Sequence, residues 1–289
     1  MIKLFASDLD GTLLNVDHRL DEIIVDAIKK INENNKTFCI ATGRSMYQEH
    51  SDDFRCIDGY NYCISLNGAI ITNKENEIIY YKSIDHEFVM KMLKEFPTVS
   101  FECLGVDRMY YRHTKEEELA FYNEMVKWSK FHQAFTFERY HMNTVFNFKI
   151  EDIENTEILK INCRIKDEKL KEKFKKFIDE HSHLVVDAPF IENFFELTDV
   201  SVNKGSAIQQ LARMLNIEDD EVAVYGDGLN DLVMLQTFKH SYAPSNAKDK
   251  VKECANEVIG SYVDYAVTKH ILKTLEEDGQ WKLSFLLRM

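Results

Sequence analysis

Two acidic segments, one near each end of the chain, place carboxylates directly after short apolar runs. Asp8 and Asp10 follow a run that ends at Ala6, and Asp227 follows one that ends at Tyr225. Apolar runs of this length are typical of buried parallel strands, and open α/β sheets bind ligands beyond the carboxyl ends of such strands. Carboxylates gathered at one sheet edge repel one another. A divalent cation relieves this repulsion, and Mg²⁺ suits a site with few carboxylates and a substrate phosphate.

The first acidic segment alone does not decide its chemistry, because two acids separated by one residue are common in solvated loops. A calcium-binding EF-hand loop is excluded. Thr12 occupies its third ligand position, Gly11 is misplaced, and Leu9 and Leu13 are apolar. Further motifs therefore have to decide the interpretation.

A third segment contains groups that bind anions. Thr42 and Gly43 follow the apolar run Phe38–Ala41 and precede Arg44 at the start of a predicted helix. A hydroxyl and a glycine N–H in this position form an anion site. An ordinary helix-capping threonine is the alternative, and it explains Thr42 better when that residue is taken alone.

Lys204 begins a predicted amphipathic helix, in which apolar residues recur at helical spacing from Ala207 to Leu215. A lysine at a helix N-terminus opposes the helix dipole. This cost is tolerable if the ammonium faces carboxylates or a phosphate. A lysine on the solvated surface is the alternative.

The order of these motifs along the chain is specific. D-x-D-G-T is followed by T-G-R, then by K-G, and then by G-D-G-x-N-D at residues 226–231. In this order the chain resembles the haloacid dehalogenase (HAD) superfamily, and more closely the Cof-type phosphatases with a C2 (type B) cap. The resemblance covers essentially the whole chain and includes Ser65–Ala69 and Ala243–Lys252. Gly228 departs from many relatives, which carry asparagine there, and leaves the polar residues of the motif in place.

The resemblance implies an α/β fold, in which a Rossmann-like core with a parallel sheet carries an inserted α+β cap domain of the C2 type. The sequence pattern agrees with this expectation. Strand and helix patterns alternate at the start of the chain, with an amphipathic helix over 20–31 and a hairpin over 69–82. After this hairpin the helical and strand-like stretches follow a different order.

The change of pattern sets the expected domain boundaries. We expect a core domain of residues 1–82 and 191–289 and a cap domain of residues 83–190. The βαβ pattern resumes at Lys204, and the interval 131–157 shows no clear pattern.

The resemblance also implies the chemistry of the acidic residues. Asp8, the first acid of its motif, would be the nucleophile that forms an aspartyl-phosphate. Asp10 would protonate the leaving oxygen and then deprotonate the attacking water. Mg²⁺ would be held by Asp8, the backbone carbonyl of Asp10, and Asp227.

The other candidate residues are expected around the transferring phosphoryl group. Those that would bind its oxygens are Leu9, Thr42, Gly43, Lys204 and Asn230. Those that would hold the binding residues in place without binding the phosphoryl group themselves are Thr12, Arg44, Asn67 and Asp231. Of these, Thr12 would tie down the acidic turn and Asp231 would orient Lys204 or metal-bound water. Arg44 and Asn67 could also simply hold a loop.

The composition limits the classes of partner. A formal net charge of −13 argues against nucleic acids and anionic membranes. No apolar run approaches the ~20 residues of a membrane span, and the first residues resemble a strand rather than a signal peptide. The 6 cysteines form no C-x-x-C motif or zinc-site spacing. We therefore expect a cytoplasmic protein with reduced thiols, present as a monomer or a weak homodimer.

The expected function is an Mg²⁺-dependent phosphatase for small phosphorylated metabolites, especially sugar phosphates. A sugar-phosphate mutase or phosphotransferase with the same nucleophile is the alternative, and a catalytically inactive binding module is a third possibility that would need a broken site. In the cap, Tyr110, Tyr111, Arg112 and His113 are candidates for the leaving-group pocket, but a half-buried strand explains them equally well.

Overall fold

The structure is a computed structural model that describes residues 1–45, 59–106, 108–127, 137, 141, 143–188 and 194–286. Its residues form two compact units. The core unit comprises the described residues of 1–44, 52–78 and 203–289, and the inserted unit comprises Ser45 and the described residues of 79–202.

Strands and helices alternate through most of the chain. The strands are β1 (Leu4–Ser7), β2 (Thr37–Ala41), β3 (Tyr62–Ser65), β4 (Ile70–Asn73), β5 (Ile78–Tyr81), β6 (Phe101–Gly105), β7 (Met109–Tyr111), β8 (Thr144–Phe146), β9 (Ile158–Arg164), β10 (Val185–Asp187), β11 (Phe194–Asp199), β12 (Val222–Tyr225), β13 (His240–Pro244) and β14 (Glu257–Ile259). The helices are α1 (Glu22–Glu33), α2 (His86–Glu95), α3 (Lys115–Met125), α4 (Ile150–Ile153), α5 (Glu168–Glu180), α6 (Lys204–Met214), α7 (Leu232–Thr237), α8 (Asp249–Cys254) and α9 (Ala266–Leu286).

The first sheet has the strand order β14-β13-β12-β1-β2-β3-β4-β5. The pairings from β14 to β3 are parallel, whereas β3 and β4 are antiparallel. Strand β1 lies between β12 and β2, with Leu4 opposite both Val222 and Thr37. Because these three strands are parallel, their carboxyl ends lie side by side, and the three polar motifs that follow them meet at one edge of the sheet.

Helices α1 and α6 show why local sequence forms these elements. The Asp21 side chain caps α1 by accepting the Ile24 N–H, and Asn203 caps α6 by accepting the Ser206 N–H at 2.8 Å. Both helices bury the apolar face that the sequence pattern indicates. The capping of α6 fixes where this helix begins, and its first residue is Lys204.

The inserted unit is built on a second sheet with the order β10-β11-β9-β6-β7-β8, antiparallel except for β7 with β8. Its core contains a cluster of aromatic rings. Phe96 packs edge-on against Phe174 at 5.0 Å between ring centroids, and Phe174 packs against Phe195 at 4.9 Å. The core therefore joins α2, α5 and the sheet.

The contacts divide the chain at different residues from those expected. Strand β11 pairs with β9 from Phe194 to Leu197, so it belongs to the second sheet, and the core unit resumes at Asn203 instead of residue 191. The first division falls after Ile78 instead of residue 82. Within the interval 131–157, β8 and α4 are described, and residues 131–136, 138–140 and 142 lie outside the described residues.

In the described part of the chain, no helix has both the length and the apolar character that a membrane span requires.

Candidate active site

The ends of β1 and β12 bring the two acidic motifs together. Asp8 is buried directly after β1, and its N–H donates to the Tyr225 carbonyl at 2.9 Å. Carboxylate oxygens of Asp8, Asp227 and Asp231 lie within 4.8 Å of one another. Residues that are far apart in the sequence therefore form one acidic cluster at the sheet edge.

The turn after Asp8 is fastened to the second acidic motif. It closes when the Leu14 N–H donates to the Leu9 carbonyl at 2.9 Å. Gly11 within the turn has φ +75°, and a Cβ there would overlap Asp227 Oδ2. Glycine is thus required on both conformational and steric grounds. The Thr12 hydroxyl donates to Asp227 Oδ1 at 3.0 Å, which holds this carboxylate against the turn.

Lys204 lies inside the acidic cluster. Its side chain is 0% exposed, and Nζ donates to Asp8 Oδ1 and to Asp231 Oδ1, each at 2.6 Å. Burial alone would lower the pKa of Lys204, but Asp231 and Asp8 outweigh it and raise this pKa above the ordinary value. The ammonium therefore stays protonated, and the two carboxylates compensate its position at the positive end of α6.

Asp231 supports the cluster through both of its oxygens. Oδ1 accepts the bond from Lys204, and Oδ2 accepts the backbone N–H groups of Asp227 at 2.9 Å and Gly228 at 2.8 Å. These bonds shape the loop that carries Asp227. Although Asp231 lies close enough to share a cation, its oxygens are already engaged, and this favours Asp8 and Asp227 as the ligands.

The acidic cluster holds more negative charge than Lys204 can balance. Burial, together with the neighbouring Asp231 and Asp10, raises the pKa of Asp8 to about 8, although Lys204 opposes this shift. Burial also raises the pKa of Asp227 to about 6, with Asp231 adding to the effect. Carboxylate oxygens that resist ionisation in this way fit a hard divalent cation, which would favour their charged form.

A second group of polar residues follows β2 and β3. Asn67 has φ 59°, a left-handed conformation, and its N–H donates to the Thr42 carbonyl at 3.1 Å. Asn230 Nδ2 donates to Asn67 Oδ1 at 3.1 Å. A Cβ at Gly43 would come within 2.7 Å of the same oxygen. The structure thus brings Thr42, Gly43, Asn67 and Asn230 together, and the Thr42 hydroxyl accepts the Arg44 N–H at 3.2 Å. The helix predicted after Arg44 lies in residues 46–58, which are outside the described residues.

Asp10 is held by two side chains. Arg44 Nε donates to Asp10 Oδ2 at 2.8 Å, and its Nη2 contacts Oδ1. His18 Nδ1 lies 2.9 Å from Oδ1. Although burial alone would raise the pKa of the Asp10 carboxyl, the hydrogen bonds from His18 and Arg44 hold it well below its usual range. Asp10 is therefore a carboxylate in this arrangement.

Sequence reasoning missed His18. Its contact with Asp10 depends on the conformation of a loop, and no periodic pattern encodes such a contact. The sole sequence signal is a titratable residue in the short segment between the D-x-D-G-T motif and α1.

The proposed leaving-group residues of the inserted unit have mainly structural contacts. Arg112 donates to the carbonyls of Phe96 at 2.7 Å and Leu93 at 3.0 Å, and so caps the C-terminal end of α2. Tyr110 packs in the apolar core of the unit, and His113 pairs with Glu118 at 2.5 Å. The strand interpretation of Tyr110 and Arg112 therefore fits better than the pocket interpretation.

The comparisons with known proteins agree with this geometry. A sequence profile of the haloacid dehalogenase-like hydrolases matches residues 5–271. The chain belongs to this family.

Three relatives show how far the similarity extends. Phosphatase YwpJ of Bacillus subtilis is 26% identical over an alignment length of 293, and the alignment covers 95% of this chain and 100% of YwpJ. The HMP-PP phosphatase of Klebsiella pneumoniae is 26% identical over 255 residues, which cover 87% of each chain. The solved structure of BT4131, a HAD subclass IIB sugar phosphatase, superposes with a TM-score of 0.73 at 20% identity, covering 94% of this chain and 98% of that one.

These findings confirm the expected family, the expected fold class and the enzyme class. The protein is a phosphatase of the haloacid dehalogenase superfamily, with an α/β core.

Proposed function

We propose that this phosphatase hydrolyses small phosphorylated metabolites, foremost sugar phosphates, through an aspartyl-phosphate on Asp8 and with bound Mg²⁺. The observation that carries the proposal is the position of Asp8, which is buried at the end of β1 with Lys204 on its Oδ1 and Asp227 beside it. A buried carboxylate that is fixed by an ammonium ion has few orientations. This rigidity favours in-line attack on a phosphorus atom.

In the first step, Asp8 Oδ2 attacks phosphorus while the bond from phosphorus to the leaving oxygen breaks. To act here Asp10 has to be protonated, although Arg44 and His18 stabilise its carboxylate form; it then donates this proton to the leaving oxygen, so the alcohol departs as a neutral molecule. The negative charge on the equatorial phosphoryl oxygens would be met by the candidate donors Leu9 N–H, Thr42, Gly43 N–H, Lys204 and Asn230. In phosphoryl transfer, such positioning and charge stabilisation supply most of the catalysis.

In the second step, water attacks the phosphorus of the aspartyl-phosphate. Asp10, now a carboxylate, takes a proton from this water, and the bond from phosphorus to Asp8 breaks to release inorganic phosphate. Arg44 and His18 already stabilise the carboxylate form of Asp10, and this is the form that the second step requires.

The residues that would hold Mg²⁺ are Asp8, Asp227 and the backbone carbonyl of Asp10, with Thr12 and Asp231 restraining the carboxylates and the loop. When bound, the cation would neutralise the acidic cluster and let a dianionic phosphate approach it. Lys204 would stay hydrogen-bonded to Asp8 when the cation is bound, because Asp8 and Asp231 both hold its ammonium group.

The substrate class rests on charge and on the relatives. A chain with a net charge of −13 repels polyanions, so a small monoester fits better than a nucleic acid. BT4131 is a sugar phosphatase, and the Klebsiella relative acts on HMP-PP. We propose that the inserted unit sets the specificity, and that the enzyme is a cytoplasmic monomer or weak homodimer.

The two acids of the first motif provide the test. Asp8→Asn should form no phosphoenzyme, whereas Asp10→Asn should still be phosphorylated by p-nitrophenyl phosphate, because p-nitrophenolate needs little protonation. Hydrolysis of the intermediate should then slow sharply, and the covalent phosphate should accumulate. Intact-protein mass spectrometry after acid quench measures it. An adduct in Asp8→Asn, or on a residue other than Asp8, would disprove the nucleophile assignment.

A further inference from the structure

The loop between the acidic turn and α1 is built around Asn15. Asn15 Oδ1 accepts the N–H groups of Asp17 and Arg19, each at 3.0 Å. The Asn15 backbone pairs with Arg19 and accepts the His18 N–H, both at 3.0 Å. Asn15 Nδ2 also donates to Asp21, the residue that caps α1, at 3.2 Å. These bonds leave the loop little conformational freedom.

Within this loop His18 has φ 57°. The left-handed region costs free energy in any residue with a Cβ, although asparagine, aspartate and histidine enter it more often than other residues do. Strained conformations of this kind are concentrated at functional sites, where the side chain has a task that offsets the cost.

The side chain of His18 contacts Asp10, and Asp10 is shared with Arg44. Arg44 binds both carboxylate oxygens, with its Nε on Oδ2, whereas His18 binds Oδ1 alone. To pass a proton to or from a substrate oxygen, Asp10 has to present one oxygen to the substrate. Oδ1 accepts from both His18 and Arg44, whereas Oδ2 accepts from Arg44 alone, so the oxygen with a lone pair left for the substrate is Oδ2.

We infer that His18 is a positioning residue for Asp10, which holds Oδ1 so that Oδ2 faces the leaving oxygen and later the attacking water. The inference rests on the proposed role of Asp10 as the general acid and base. A simpler alternative is that His18 only closes the loop, in which case its loss would affect every substrate equally.

Three variants separate these two roles. His18→Gly fits the left-handed backbone and removes the imidazole. His18→Asn fits the same backbone and places an amide near the position of Nδ1. Val16→Ala changes an exposed side chain of the same loop and serves as the control. Thermal unfolding of all three variants checks that the loop is intact.

The probes are p-nitrophenyl phosphate and phenyl phosphate, two aryl esters of similar size. Phenolate is much the poorer leaving group, so its departure depends on a proton from Asp10. We expect His18→Gly to lower kcat/KM for phenyl phosphate about tenfold more than for p-nitrophenyl phosphate, a part of the ~10²–10⁴-fold that general acid–base catalysis supplies. His18→Asn should recover most of this loss, and Val16→Ala should match the wild type.

The same measurements in Asp10→Asn distinguish a failure of the proposed role of Asp10 from a failure of the positioning role of His18. There His18→Gly should cause no further selective loss, because the proton donor is already absent. If Asp10→Asn shows no selective loss on phenyl phosphate, the proposed role of Asp10 is wrong. If Asp10→Asn does show it and His18→Gly lowers both substrates equally, or His18→Asn fails to recover, the positioning role of His18 alone is overturned.

Discussion

Lys204→Met would test the buried ion pairs of the candidate site. Methionine keeps much of the length of the lysine side chain and removes its charge. Lys204 Nζ donates to Asp8 and Asp231 at 2.6 Å each, and the side chain is 0% exposed. Water therefore cannot replace the ammonium without a rearrangement of the strand ends.

The expected magnitude follows from these contacts. Removing one partner of a buried ion pair costs about 3–5 kcal/mol, because the other charge is left unpaired. A folded domain is stable by only ~5–15 kcal/mol, so the loss would be a large part of the total. Lys204 lowers the pKa of Asp8, so its removal raises this pKa further above about 8, and the variant should lose more stability above pH ~8 than at pH 7.

Lys36→Met is a matched control. Lys36 is also buried in the core unit, and its ammonium contacts Asp278 and the Ile2 carbonyl. It precedes β2, so it lies at the amino ends of the parallel strands, opposite the edge that carries the acidic cluster. Both substitutions should therefore destabilise the fold, but only Lys204→Met should affect phosphoryl transfer.

The assay combines urea unfolding with turnover of p-nitrophenyl phosphate under conditions in which both variants are folded. We expect Lys204→Met to lose about 10²-fold or more in turnover, since it removes a charged donor to the phosphoryl group. Lys36→Met should retain nearly the full rate. A Lys204→Met enzyme with a rate within threefold of the wild type, or with a stability loss below ~1 kcal/mol, would refute the reasoning.

Three further outcomes are expected. Chelation by EDTA should abolish turnover and Mg²⁺ should restore it, whereas full activity without metal would contradict the assignment. Thr12→Val removes the hydrogen bond to Asp227 and should raise the Mg²⁺ concentration for half-maximal activity about tenfold or more; Thr12→Ser should behave like the wild type. Burial raises the pKa of Asp187 from 3.8 to about 6, so its ionisation weakens the folded state as pH rises between these values. Asp187→Asn should accordingly be more stable than the wild type above pH ~6, by up to ~2–3 kcal/mol, with the gain vanishing below pH ~4 in urea unfolding.

Much of the core unit could be predicted because local sequence patterns indicate its strands and helices. Apolar runs mark β1, β2 and β12, and the 3.6-residue period marks α1 and α6. Parallel strands that are buried on both faces leave polar residues only at their ends. The sequence therefore indicated which side chains would meet before any pairing was known.

The partners of a strand were harder to predict than its existence. Strand β11 lies beyond residue 190, where the cap was expected to end, and the alternation of its residues does not say which sheet it joins. The structure pairs it with β9, and this moves the end of the inserted unit to Val202. Strand pairing depends on contacts between distant segments, and the alternation of polar and apolar residues in one strand does not identify its partner.

Side-chain contacts in loops could not be predicted from the sequence for a similar reason. Arg112 was a candidate for substrate contact, yet its guanidinium satisfies carbonyls at the end of α2. His18 had no assigned role, yet it lies on Asp10. Both outcomes depend on where the backbone places a long or strained residue, and residue type alone leaves this open.

The candidate site lies wholly within the core unit. In the proposed mechanism the acidic cluster, Lys204, Thr42 and Asn230 contact features that every phosphate monoester shares, namely phosphoryl oxygens and the ester oxygen. Interactions of this kind accelerate transfer without distinguishing one alcohol from another. Selectivity then has to come from residues outside these motifs. This division is consistent with relatives that share the fold of this chain while one is a sugar phosphatase and another an HMP-PP phosphatase.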